Sequence, residues 1–135
     1  MRGKASQMPR ILVAEDDRHS LSGLMELLYA EGYEVTGVNR GRQALETLEH
    51  EQFDVMLTDM KMPDLDGRQL IAQSRPLAPE MKTIVMSATN PAEAISDLFE
   101  HDVFKYLTKP LDLDELFFSI RKAIGMRELS HADKH

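Results

Sequence analysis

The 135-residue chain contains no cysteine and no tryptophan. The missing cysteine excludes a disulfide framework, thiolate metal sites and cysteine nucleophiles, and it fits a reducing compartment. Long apolar runs are missing too. The longest, such as Ile11–Ala14, has four residues, so nothing in the sequence reads as a membrane span. No basic segment followed by an apolar stretch opens the chain as a secretion signal would. Basic residues are the minority, 16 against 23 acidic, for a net charge of -7. That balance argues against direct binding to nucleic acid, which calls for a basic face, and is compatible with a cation site. Hydrophobic residues still make up 42%, enough for a core. The expectation is one cytoplasmic domain that binds no membrane.

What is present alternates between two periods. Arg10–Ala14 reads as a buried strand, and from Arg18 the apolar residues Leu21, Leu24, Met25 and Leu28 mark one face of a helix. Gly32 ends that helix in a left-handed cap. Further strands are expected at Tyr33–Val38, Asp54–Thr58, Thr83–Met86 and Lys105–Thr108. Ala44, Leu45 and Leu48 mark a second helix. The Asp66/Gln69 spacing fits a capping box that starts a third helix, ended by Pro76. Asn90-Pro-Ala-Glu93 opens a fourth, with Ile95, Leu98 and Phe99 buried. Asp112 and Glu115 open a last one, and Gly125 is expected to stop it. Residues 1–8 read as a disordered leader, 9–125 as the domain, and 126–135 as a charged tail or the start of a linker. Strand–helix alternation with short connections implies an α/β fold: a doubly wound parallel sheet with helices on both faces.

In such sheets ligands bind at the carboxyl ends of the strands. Strand one runs into Glu15-Asp16-Asp17, strand three into Thr58-Asp59, strand four into Ser87 and strand five into Thr108-Lys109. Clustered carboxylates repel one another, and a divalent cation relieves the repulsion. Oxygen ligands that leave positions to water and phosphate suit Mg²⁺. Lys109 offers a second cation and Ser87 a hydroxyl, the groups a docked phosphoryl needs. Asp59, with no acidic neighbour in sequence, is the candidate nucleophile. The five histidines form no convincing metal set.

Taken together, Ile11-Leu-Val-Ala-Glu-Asp-Asp17, Leu57-Thr-Asp-Met-Lys-Met-Pro-Asp-Leu-Asp-Gly67, Val85-Met-Ser-Ala88 and Tyr106-Leu-Thr-Lys-Pro110 resemble the receiver domain of two-component response regulators, over about residues 9–125. The resemblance implies a five-stranded flavodoxin-like sheet in order 2-1-3-4-5. It implies that Asp59 is the phosphoacceptor, and that Asp17 and Asp59 ligate Mg²⁺ with the backbone carbonyl of Lys61 while Asp16 acts mainly through water. Ser87 would bond the phosphoryl oxygen, Lys109 would pair with it, and Ala88 would leave it room. Tyr106 would be the aromatic switch that turns inward when Ser87 moves. The Lys109-Pro110 peptide would be cis and help aim the lysine.

The implied function is a signalling switch rather than a conventional enzyme. It would catalyse its own phosphotransfer and slow dephosphorylation, and phosphorylation would alter the surface around strand five and the last two helices. The implied donor is a sensor histidine kinase or a histidine phosphotransfer protein. An output domain or downstream protein, and a homodimer formed on phosphorylation, are the further partners the family admits. The chain departs from the family at Asp102-Val103, where Gly-Ala is usual, and Lys61 and Thr89 occupy variable positions that tune dephosphorylation. The alternatives are a Mg²⁺-dependent interaction module without phosphorylation, a flavodoxin-like cofactor binder and an aspartyl-phosphate phosphatase. A cofactor binder would want a glycine- and serine-rich loop where Glu15-Asp16-Asp17 stands. A phosphatase would carry its nucleophile after strand one.

Overall fold

The computed structural model describes residues 8–88 and 103–133, with side chains to residue 126. Five strands, β1 (Arg10–Ala14), β2 (Glu34–Val38), β3 (Val55–Asp59), β4 (Lys82–Ser87) and β5 (Lys105–Thr108), form one parallel sheet in the order β2-β1-β3-β4-β5. Four described helices connect and cover them: α1 (Arg18–Ala30), α2 (Gly41–His50), α3 (Gly67–Ser74) and α4 (Leu113–Asp133). The parallel sense is that expected from the strand–helix alternation, and the order is that implied by the resemblance. The helix expected from Asn90 lies outside the described residues, as do Thr89, His101 and Asp102.

The two-residue period of the strands sorts the core into two layers. Ile11 and Val13 of β1, Val55 and Leu57 of β3, and Ile84 and Met86 of β4 face Leu24 and Leu28 of α1 and Leu116, Ile120 and Ala123 of α4. Leu12, Ala14 and Met56 face the other way, against Ala44 and Leu48 of α2 and Leu70 of α3. With both faces covered, the central strands β1 and β3 carry almost unbroken apolar runs, as buried parallel strands do.

Local signals account for the element ends. Gly32 has a φ of 96°, the left-handed conformation that favours glycine. Asp66 and Gln69 make both bonds of the capping box at α3. Asp112 Oδ1 accepts the Glu115 amide at 3.1 Å at the start of α4. One boundary corrects the expectation: α4 does not stop at Gly125 but runs to Asp133. A glycine inside a helix costs about 1 kcal/mol relative to alanine, too little to end a helix whose next residues, Met126, Arg127, Glu128 and Leu129, are all good helix formers. Among the described residues, no helix is long and apolar enough to cross a membrane.

Candidate functional site

The strand ends bring the site together. Glu15 directly follows β1, Asp59 is the last residue of β3, Ser87 the last of β4, and Lys109 follows β5. The sequence reading ends β3 at Thr58. In the structure Asp59 stays in the ladder opposite Met86, which fixes its backbone on the central strand. Asp59 is 8% exposed and Glu15 1%. Between them lies the Lys109 ammonium, 2.8 Å from Asp59 Oδ2 and 3.2 Å from Glu15 Oε1. The Lys109 amide donates to the Ser87 carbonyl at 2.8 Å, tying the start of the β5 loop to the end of β4. The Lys109-Pro110 peptide is cis.

Carboxylate oxygens of Glu15, Asp16 and Asp59 lie within 4.8 Å of one another, a spacing that could hold a metal ion. This divides the acidic run differently from the sequence reading. Asp17 stands outside the cluster: its Oδ1 accepts the amides of His19 at 3.0 Å and Ser20 at 3.4 Å and caps α1. Glu15, which the sequence reading named in the acidic run without giving it a role, takes the inward place. The sequence held a signal for both. An aspartate immediately before a helical period is a preferred N-cap. Continuing the alternation and register of β1, Glu15 keeps the parity of Ile11 and Val13, the face on which Val55 and Leu57 lead to Asp59 in the neighbouring strand.

Burial pushes the Glu15 carboxyl above its ordinary value, and the Asp59 charge adds to this against the opposing pull of the Asp17 amide and Lys109. For Lys109, burial works to lower the ammonium, but the Asp59 bond and the charges of Asp59 and Glu15 outweigh it, so its value is raised. Lys109 is therefore a firmly charged cation at neutral pH.

The other expected residues sit around this cluster. Ser87 is buried at the strand end and Ala88, next to it, is exposed. Lys61 is exposed, and its amide donates to Asp59 Oδ1 at 3.2 Å. Tyr106 is half-buried on β5, in register with Val85.

A further residue was not foreseen. Asp64, in the loop between β3 and α3, accepts the amides of Gly41 at 2.9 Å and Arg42 at 3.0 Å. It thereby caps α2 from a distant part of the chain. Burial works to raise the Asp64 carboxyl, but those two amides, with the charge of Arg40, hold it below its ordinary value.

A buried carboxylate at the end of the central strand, flanked by two acids and a lysine, is an acidic pocket of the kind typical of response regulator receiver domains. The family model for the response regulator receiver domain matches residues 11–121, and the chain belongs to that family. It is 35% identical over 115 residues to the transcriptional regulatory protein ZraR of Escherichia coli K12, covering 85% of this chain and 26% of that protein. The chain thus spans about a quarter of the length of such curated relatives. Among solved structures it is similar to a CheY-like receiver domain protein from Methanospirillum hungatei JF-1, with a TM-score of 0.86 and 28% identity over 91% of this chain and 98% of that one. It is also similar to the response regulator TrrA of Thermotoga maritima in complex with Mg²⁺-BeF, with a TM-score of 0.77 and 29% identity over 86% of this chain and 99% of that one.

Proposed function

We propose that the domain is a phosphorylation-activated switch in which Asp59 accepts a phosphoryl group from a phosphohistidine donor. The observation that carries this reading is the placement of the Lys109 ammonium 2.8 Å from Asp59 Oδ2, beside a cluster of three carboxylates. In the transfer a carboxylate oxygen of Asp59 attacks phosphorus, the P–N bond to the donor imidazole breaks, and the imidazole leaves with the electron pair. Glu15, Asp16 and Asp59 form an all-oxygen donor set that fits Mg²⁺. Glu15, Asp16 and Asp59 would hold the ion, with the Lys61 carbonyl as the ligand the resemblance implies; Asp17 is left to its helix cap. When bound, Mg²⁺ supplies neutralisation of the charge on the transferring group.

The chain's own residues do the rest. Lys109 orients Asp59 and pairs with the phosphoryl oxygens, exposed Ala88 leaves room for them, and the Ser87 hydroxyl moves toward them. Tyr106, half-buried two residues before Thr108, follows Ser87 and alters the surface at β5 and the neighbouring helices. The donor is a sensor histidine kinase or a histidine phosphotransfer protein in the cytoplasm. The response passes to an output domain or a downstream protein, through a homodimer if phosphorylation closes one. The similarity to transcriptional regulatory proteins and to a receiver solved with Mg²⁺-BeF supports this reading.

Intact-protein mass spectrometry after incubation with acetyl phosphate tests it. A Mg²⁺-dependent gain of one phosphoryl group, absent in Asp59→Asn, is the expected result. A gain that persists in Asp59→Asn places the acceptor elsewhere. No gain from acetyl phosphate or from a phosphohistidine donor leaves the module that binds Mg²⁺ and partners without phosphorylation.

A further inference from the structure

The loop from Met60 to Asp66 carries the residues that border Asp59, and its fastening is unequal along its length. Its start is tied to the site, since the Lys61 amide donates to Asp59 Oδ1. Its ends are tied to each other, since the Gly67 amide donates to the Met60 carbonyl at 2.6 Å. Met62 and Leu65 are buried in the layer that holds α2. Lys61 and Pro63 are exposed. Asp64 is polar and half-buried, yet both of its carboxylate oxygens are committed, Oδ1 to the Gly41 amide and Oδ2 to the Arg42 amide.

This bond has two ends with different consequences. At α2, Arg40 occupies the N-cap position and makes no side-chain cap bond among the described residues, so Asp64 does that work from across the fold. At the loop, the same bond fixes a point three residues beyond Lys61 to a helix whose Ala44 and Leu48 are anchored in the core. Contact at Gly41 reinforces it: a side chain added there would lie 2.7 Å from Leu65 Cβ and 2.9 Å from the Leu65 carbonyl. The loop therefore rests on bare backbone at Gly41 and is held at the same first turn of α2 by Asp64.

We infer that Asp64 is a positioning residue for the acidic site: by clamping the Met60–Asp66 loop to α2 it fixes where the backbone at Lys61 stands relative to Asp59. This rests on the reading of Glu15, Asp16 and Asp59 as a Mg²⁺ site. Asp64 is not part of the three-carboxylate group, both its oxygens being taken by α2 amides, and acts through the backbone between it and Lys61. Groups that orient ligands without touching the metal tune its affinity, and one acting through three residues of loop acts more weakly than one bonded to a ligand.

The test is a Mg²⁺ titration followed by amide chemical shifts on the whole chain, well below the melting temperature. Wild type is compared with Asp64→Ala, Asp64→Asn and Leu45→Ala, and each variant's melting temperature is measured separately. Leu45 is half-buried on α2 and packs against its core layer, so Leu45→Ala weakens the same helix without touching the loop bond. Asp64→Ala is expected to raise the Mg²⁺ dissociation constant by about 3- to 10-fold. Asp64→Asn keeps one of the two acceptors and turns an amide donor toward the other N–H, so its loss of affinity should fall between wild type and Asp64→Ala. Leu45→Ala should lower the melting temperature and leave Mg²⁺ affinity alone. Equal affinity in wild type and Asp64→Ala overturns the inference and leaves the metal site standing. Equal loss in Leu45→Ala and Asp64→Ala also overturns it, because affinity would then follow helix stability. Wild type that takes no Mg²⁺ overturns the site reading and the inference together.

Discussion

Lys109 Nζ lies 2.8 Å from Asp59 Oδ2, so a residue that follows the edge strand β5 reaches past β4 to the carboxylate on the central strand β3. The same ammonium bridges to Glu15 at 3.2 Å. It is the counter-ion that lets two largely buried acids share one end of the sheet. Removing it in Lys109→Ala leaves Glu15 and Asp59 facing each other. Breaking a fully buried ion pair costs more, but the Lys109 side chain is 32% exposed and solvent screens part of the interaction. The expected loss is about 1–2 kcal/mol, read by urea unfolding without divalent ions. Mg²⁺ should then restore more stability to the variant than it adds to wild type, because the ion replaces the missing charge. Equal Mg²⁺ increments in the two proteins would count against that division of labour.

Asp16 and Asp17 are neighbours with different work, and Mg²⁺ separates them. At a free Mg²⁺ concentration of about 100 times the dissociation constant, a ligand specific to the native state stabilises by about 2.7 kcal/mol. Asp16→Asn should lose most of that gain because it removes a charge from the three-carboxylate cluster. Asp17→Asn should keep it, since asparagine can still accept the His19 and Ser20 amides at the start of α1. Thermal melts with and without Mg²⁺ decide. A melting gain lost in Asp17→Asn and kept in Asp16→Asn would reverse the assignment.

Glu15 and Lys109 give the metal-free protein a pH dependence of definite sign. The folded-state Glu15 carboxyl is raised above 4.5 chiefly by burial, so between 4.5 and the raised value the folded chain binds more protons than the unfolded one. Its contribution therefore falls as pH rises through that window. The Lys109 value is raised above 10.5: burial opposes this, and the Asp59 bond with the charges of Asp59 and Glu15 prevails. Its stabilising contribution is complete below 10.5 and is lost as pH climbs through the raised value. Glu15→Gln should remove the acid-side decline and keep an alkaline one driven by Asp59. Unfolding curves taken across pH in a chelator would show this. An unchanged acid limb in Glu15→Gln would assign the decline to another group.

Gly67 is a glycine for a steric reason at the site's own loop. A side chain there would stand 2.8 Å from Met60 Cα and 2.9 Å from the Met60 carbonyl oxygen, both rigid backbone, where the Gly67 amide also donates. Gly67→Ala should cost about 2–3 kcal/mol and shift the Lys61 amide resonance, as the loop must lift from Met60. An alanine variant as stable as wild type would mean that the loop has slack.

The sheet was legible because its information is local and repeated. Apolar strands of four to six residues, helical stripes such as Leu24 and Leu28, and caps at Asp66 and Asp112 each carry their own signal. The convergence of Asp59, Ser87 and Lys109 followed from topology alone, since parallel strands deliver their ends to one side. What escaped depended on contacts between distant segments. Asp64 and Gly41 are 23 residues apart, and no spacing rule links a loop aspartate to the start of a preceding helix. The split between Glu15, Asp16 and Asp17 needed two local rules applied at once, strand parity and helix capping. The motif resemblance, read as a run of acids, obscured both.

Gly125 tests how the last helix ends. Read as a C-terminal cap, it would occupy a left-handed backbone, and alanine there would be strained. The structure instead places it inside α4, eight residues before Asp133, with a backbone φ outside the positive range and open space around the added Cβ. Gly125→Ala should then stabilise by up to about 1 kcal/mol, through helix propensity and a less flexible unfolded chain. The gain should appear as a higher melting temperature together with slower amide exchange in the turn around Gly125. Destabilisation by alanine would restore the helix end to Gly125 and return residues 126–133 to a tail.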